Sequence, residues 1–435
     1  MAETITNRRV LNIAVPVVLS NVTVPLLGLV DTGVVGQMGE AAPIAAVGLG
    51  AIILSTFYWF FGFLRMGTTG LAGQALGAGD AVEVDAILAR ALLIAGAAGV
   101  ALIVLQVPLI WVALAVSPAT PAVEGMAADY LQIRVFSAPA AIAIYGITGW
   151  LIAQERTRAV LALQVWMNGI NIVLDLWFVL GLGWGVSGVA FATFIAEWSG
   201  LALGLFFCRG VFARTAWRAP ALLFARAKVA RLLVVSTDIT IRSVLLMAAF
   251  TSFFLFGARF GEATMAANQV LMHFIQVTSY ALDGFAFAVE ALVAQTLGAR
   301  QREALRRATV LIFQWGFGSA LVLTVGFALF GGLIIDTITT APDVRDAARL
   351  YLPWAVAMPL VAAGSFIIDG VFIGATRTRD MRNMMALSFA VYALSVVALA
   401  PLLGNHGLWA ALVALFIARF ATLAWRYPQV EAAAS

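Results

Sequence analysis

Gly149–Trp150–Leu151–Ile152–Ala153–Gln154–Glu155–Arg156–Thr157–Arg158 returns, 221 residues later, as Gly370–Val371–Phe372–Ile373–Gly374–Ala375–Thr376–Arg377–Thr378–Arg379. Each stretch closes an apolar run and ends in Arg-Thr-Arg. The same shift carries Gln74–Ala75–Leu76–Gly77–Ala78 onto Gln295–Thr296–Leu297–Gly298–Ala299, and Tyr130–Leu131 onto Tyr351–Leu352. One shift kept at three separate places marks an internal duplication.

The runs around these stretches say what is duplicated. Of 435 residues, 63% are hydrophobic and 11% charged, with mean hydropathy +0.99; soluble domains carry about 45–50% and about 25%. The chain reads as an integral membrane protein. A bilayer core takes about 20 helical residues to cross, and apolar runs between Gly, Pro and Arg breaks predict twelve spans: 9–35, 44–76, 88–116, 124–149, 159–181, 186–208, 232–257, 264–297, 308–332, 347–372, 383–403 and 406–425. No small-residue cleavage signal follows the first run, so that helix is expected to stay as a signal anchor. The predicted fold is all-α: an N-lobe of six transmembrane helices over 1–208, a cytoplasmic linker over 209–231 and a C-lobe of six over 232–435. Six spans is an even number, so both halves enter from the same face, and a pseudo-two-fold axis along the membrane normal is expected to relate them. With both termini inside, 19 Lys and Arg fall on the cytoplasmic side and three, Arg259, Arg345 and Arg349, on the other; basic residues stay inside.

Composition excludes several classes of function. A net charge of +4 spread along the chain offers no surface for nucleic acid. One cysteine, Cys208, and two histidines, His273 and His406, leave no disulfide and no zinc site; no cofactor and no metal are expected. The single lysine, Lys228, has no glycine loop before it, so no P-loop is present. Gly183–Trp184–Gly185–Val186–Ser187–Gly188 spells GxGxxG but follows a helical run, and reads as a tight turn. The chain is not expected to be an enzyme.

Chemistry is expected where ionisable groups sit inside the spans, because such groups are costly in a bilayer and face cavities. In the first half these are Asp31 and Asp175, with Asn168 and Asn171 on the face of the helix that carries Asp175. Asp31 and Asp175 are read as proton or cation carriers. In the second half Asp238, Asp283, Glu290 and Asp369 surround Arg242 in the sequence reading and form a charge cluster, with Arg242 as the cation for one or more of the acids. The shift of 221 puts Val396 at the place of Asp175, Tyr392 at that of Asn171 and Thr148 at that of Asp369. Each half therefore carries acids that the other lacks. Pro16 and Pro25 have no N–H for the carbonyls of Asn12 and Asn21, so the first helix is expected to bend.

Asn21–Val22–Thr23–Val24–Pro25–Leu26–Leu27–Gly28–Leu29–Val30–Asp31–Thr32, Asn171–Ile172–Val173–Leu174–Asp175, Tyr280–Ala281–Leu282–Asp283–Gly284–Phe285 and Asp369–Gly370–Val371–Phe372–Ile373–Gly374–Ala375–Thr376–Arg377 closely resemble the DinF branch of the multidrug and toxic compound extrusion (MATE) family, over essentially the whole chain. The resemblance implies two six-helix lobes in a V, which export organic, cationic or amphipathic compounds by alternating access against an inward proton or sodium gradient. It implies an N-lobe cavity lined at Pro16, Asp31, Tyr130, Asn171, Asp175 and Thr193, with bending of the first helix attributed to Pro16. A polar cavity position of relatives is apolar here, at Val24. The expected protein is thus a proton-coupled antiporter of the bacterial cytoplasmic membrane, a monomer whose partners are small organic substrates and membrane lipids. The alternative is a flippase for lipid or glycan intermediates, which would need a strongly basic cavity; only Arg65, Arg134, Arg242 and Arg419 lie within spans.

Overall fold

The structure, a computed structural model, describes residues 5–117, 119–214 and 219–435, with all their side chains except Leu26, Leu29 and Thr32. Among these residues the chain is helical and has no strand. In chain order the helices are α1 Asn7–Gly36, α2 Ala41–Trp59, α3 Gly62–Gly77, α4 Ala81–Val104, α5 Gln106–Ala115, α6 Pro121–Arg134, α7 Ala138–Ala153, α8 Thr157–Asp175, α9 Gly185–Phe207, α10 Arg209–Phe212, α11 Pro220–Leu223, α12 Arg226–Gly257, α13 Glu262–Gly298, α14 Arg302–Ile338, α15 Pro342–Gly374, α16 Thr378–Leu403 and α17 Asn405–Ala432. Among the described residues, eleven segments are long and apolar enough to cross a membrane, and α1, with 30 residues, is a twelfth of spanning length. All twelve predicted spans are helical. Three of them are broken: at Phe60–Phe61, at Leu105 ahead of Pro108, and at Val135–Ser137 ahead of Pro139. Pro108 and Pro139 have no N–H for the carbonyls of Val104 and Val135 four residues earlier, which accounts for the last two.

The duplication is visible in backbone geometry. Non-glycine residues with positive φ are Glu155 (59°), Arg300 (53°) and Thr376 (51°), and Gly79 (75°), Gly183 (69°) and Gly404 (58°) are among the glycines. The shift of 221 pairs Glu155 with Thr376, Gly79 with Arg300 and Gly183 with Gly404. Each of the first two pairs ends a helix with the same long hydrogen bond: Arg156 N–H to Leu151 and Arg377 N–H to Phe372, Asp80 N–H to Ala75 and Gln301 N–H to Thr296. This is the left-handed helix stop, and the duplication keeps it even where the side chain is not glycine. Glycine is required at Gly149 and Gly370, where a Cβ would lie 2.3 Å from the Arg65 carbonyl oxygen and 2.6 Å from that of Ala286. Arg65 and Ala286 are themselves 221 apart.

Packing divides the chain into two compact units. The N-terminal unit holds 19–76 and 80–229, and its core gathers around Leu64, Tyr130, Ile142 and Val189. The C-terminal unit holds 230–435 together with residues up to Val18 and Gly77–Gly79, and its core gathers around Phe253, Phe274, Tyr392 and Trp409. Beyond Gly77–Gly79, the division departs from the sequence boundaries in two places. The first twelve residues of α1, Asn7–Val18, pack in the C-terminal unit, because Gly284 of α13 lets the Ala14 carbonyl and Val18 come within 2.7 Å of where a Cβ would be, Arg9 reaches Gln295 at 3.1 Å and Trp315 reaches Asn7 at 3.1 Å.

The second departure is the predicted linker, of which 215–218 lie outside the described residues. Its remainder is not free chain: α12 begins at Arg226, and α11 docks on α4. Arg90, buried, donates to the Leu223 and Leu222 carbonyls at 3.0 and 2.9 Å while gripping Glu83 at 2.9 and 3.3 Å. Lys228 reaches the same Glu83 at 3.3 Å, and Arg214 reaches Asp85 at 3.2 Å. The acids of α4 thus hold two basic residues of the linker, Arg214 and Lys228.

Candidate functional site

In α8, Gln164, Asn168, Asn171 and Asp175 recur at spacings of four, three and four, and so share one face. The Gln164 amide donates to Asn168 Oδ1 at 3.0 Å, and the Asn168 amide donates to Thr23 Oγ1 of α1 at 2.8 Å. One turn on, Asn171 sits between two acids. Its surroundings assign the amide orientation: with the oxygen turned to accept from the Thr193 N–H of α9 at 3.2 Å, the nitrogen donates to Asp31 Oδ1 at 3.2 Å and to Asp175 Oδ2 at 3.1 Å. Asp175 is fully buried, and its Oδ1 has no hydrogen-bond partner. Directly after it the helix widens into a π-turn, Leu176–Gly181, the irregularity that often accompanies functional sites.

Tyr130 is buried on α6, its ring pressed against Gly50 so closely that a Cβ there would lie 2.4 Å from Cδ1. One turn later Arg134 makes a bidentate pair with Glu197 of α9 at 2.6 and 3.0 Å, and also donates to Ser137 Oγ at 2.7 Å. Glu197 was not among the residues singled out from sequence. An acid inside the apolar run 186–208 was the available signal.

The second cluster lies in the C-terminal unit. Asp369 Oδ2 accepts from Arg242 Nη2 at 3.1 Å and from Arg419 Nη2, and all three residues are buried. Arg419, noted from sequence only as lying within a span, is thus a second cation for this acid. Asp238, four residues from Arg242, is instead engaged from α16, by Arg382 at 2.7 Å and the Thr378 hydroxyl at 3.0 Å. Asp283 is half-buried and Glu290 buried, both on α13, the helix against which α15 carries Asp369. The Glu290 carbonyl abuts Gly374 of α15, where a Cβ would lie 2.4 Å away. Pro16 is buried within α1, on the part that packs in the C-terminal unit.

Chemically, the first cluster is two carboxyl groups that share one amide donor, with one carboxylate oxygen unpartnered. The second is one carboxylate compensated by two guanidiniums. Among the described residues, no group of three or more His, Cys, Asp or Glu is placed to hold a metal ion.

The family model MatE matches residues 16–177 and 239–399, one copy in each half. The chain belongs to the MatE family. Its relatives include DNA damage-inducible protein F of Escherichia coli, 40% identical over 95% of this chain and 91% of that protein. A probable multidrug resistance protein NorM of Pseudomonas aeruginosa is 28% identical over 93% and 84%. Among solved structures, an outward-facing multidrug resistance MATE transporter of the MOP superfamily superposes with a TM-score of 0.87 at 18% identity, covering 98% of this chain and 96% of that one. A MOP superfamily transporter from Pyrococcus furiosus superposes with a TM-score of 0.86 at 16% identity, covering 99% and 97%. MatE members are multi-pass membrane transporters, not enzymes, and the fold is the twelve-helix, two-lobe fold of that family.

Proposed function

We propose that this protein is a secondary active exporter of the bacterial cytoplasmic membrane, which expels organic, cationic or amphipathic toxic compounds in exchange for inward protons. The observation that carries the reading is the pair Asp31 and Asp175 bridged by the Asn171 amide, with Asp175 buried and one of its oxygens unpartnered. A buried carboxylate must be compensated or neutralised. Asn171 supplies part of that compensation to each acid, and a proton held by the pair supplies the rest. Alternating access then delivers the proton from one side and releases it to the other, with substrate taking the opposite path. Tyr130, Asn171 and Thr193 line the substrate cavity in this reading, and both termini lie in the cytoplasm, in keeping with the distribution of basic residues. The flippase alternative is weakened by the in-span arginines: Arg134 is taken by Glu197, and Arg242 and Arg419 by Asp369.

Everted vesicles carrying the protein test the proposal when offered a fluorescent organic cation under an acid-inside pH gradient or a sodium gradient, imposed separately. Uptake is expected with the pH gradient alone, and Asp31→Asn and Asp175→Asn are expected to abolish it without loss of folded protein. Uptake that follows sodium overturns the choice of ion. Uptake that survives in both variants overturns the site.

A further inference from the structure

We propose that a groove between α14 and α17 in the C-terminal unit binds an anionic glycerophospholipid, its phosphate at the Arg306 end and one acyl chain along the aromatic end. The groove has a volume of about 650 Å³, and Ile368 of α15 contributes to its wall. On α14 its lining descends one face through Arg306, Thr309, Val310, Phe313 and Phe317. On α17 it passes back through Glu431, Tyr427, Ala424 and Phe420. The start of α14 and the end of α17 therefore place all the charged groups at one end and the phenyl rings at the other. At 1.5 Å per residue, Arg306 and Phe317 are about 16 Å apart along the axis, the depth of a headgroup plus the upper part of an acyl chain in one leaflet.

Three observations select the occupant. Val310 and Phe317 are exposed, and below them α14 exposes Leu321, Val325, Leu329 and Leu333 at a spacing of four, the stripe of a helix that lies against hydrocarbon. The polar end is basic: Arg300, Arg302, Arg306, Arg307 and Arg426 stand against Glu303 and Glu431, and Glu431 is already held by Arg302 at 3.4 Å. Arg306 enters no ion pair among the described residues, whereas the Tyr427 hydroxyl beside Thr309 and Glu431 is closed off from the groove. A guanidinium beside an apolar trough matches a phosphodiester with its chain. It does not match an organic cation, which Arg306 would repel.

The test is native mass spectrometry of the full-length protein released from detergent micelles doped with phosphatidylglycerol or phosphatidylethanolamine. Wild type is expected to retain phosphatidylglycerol preferentially, as one bound copy that millimolar inorganic phosphate does not displace. Arg306→Gln is expected to weaken that retention about fivefold, the usual worth of one basic residue at an anionic headgroup. Ala424→Phe, which fills the trough from a half-exposed position, should remove the bound copy while the melting temperature in the same micelle stays unchanged. Equal retention of both lipids by wild type overturns the proposal, as does unchanged retention in Arg306→Gln and Ala424→Phe together. Displacement by free phosphate, or a protein dimer in place of the lipid adduct, assigns the groove to another occupant and overturns it as well.

Discussion

Asp369→Asn removes one negative charge from between two buried positive ones. In wild type, Asp369 Oδ2 accepts from both Arg242 and Arg419, and the three side chains are at most 10% exposed. Asparagine keeps the shape and one acceptor oxygen but leaves two guanidiniums with no counter-charge at this position. Breaking a buried pair costs about 3–5 kcal/mol, because the charge left behind is uncompensated. At about 2–4 °C per kcal/mol for a unit of this size, the C-terminal unit should melt roughly 6–20 °C lower. Asp175→Asn sets the opposite case. It retains an oxygen that accepts from the Asn171 amide, and it replaces a carboxylate oxygen that had no partner. Its melting temperature should move by no more than a few degrees while transport is lost. The assay is thermal unfolding of purified variants in one detergent, followed by tryptophan fluorescence, beside gradient-driven uptake in vesicles. The reasoning fails if Asp369→Asn melts with wild type, or if Asp175→Asn is the less stable of the two.

Pro16→Ala restores an N–H for the Asn12 carbonyl and should stabilise a straight α1 by about 1–3 kcal/mol, with turnover slowed more than substrate binding; unchanged turnover in vesicles would show that Pro16 plays no part in the cycle. Gly149→Ala and Gly370→Ala drive a methyl into the Arg65 and Ala286 carbonyls and should each cost at least about 2 kcal/mol, whereas Gly318→Ala, with nothing within 4 Å, should be neutral or stabilising; the melting curves of the three decide it. Arg90→Ala frees α11 by cutting the two hydrogen bonds to its Leu223 and Leu222 carbonyls and should raise tryptic cleavage in the linker by about tenfold or more, read as the rate of appearance of two half-length fragments.

The membrane class, the twelve spans and the duplication were legible in the amino-acid sequence, because each rests on a local rule. A bilayer demands about 20 apolar residues per crossing, and a duplicated chain keeps its turns, so Glu155 and Thr376 adopt the same left-handed backbone despite different side chains. The face shared by Asn171 and Asp175 was legible for the same reason, since 3.6 residues per turn fixes it. The tertiary structure alone decided which partner each buried charge meets. Spacing offered Arg242 to Asp238, four residues away; packing gives Asp238 to Arg382, 144 residues on, and gives Arg242 and Arg419 to Asp369. It also set Glu197 on Arg134, divided α1 between two units at Val18 and docked the linker on α4. Such pairings follow from how each helix is rotated and how near its neighbours come, and that is set by where glycines such as Gly284 and Gly370 let backbones touch. No periodicity along a single helix encodes it.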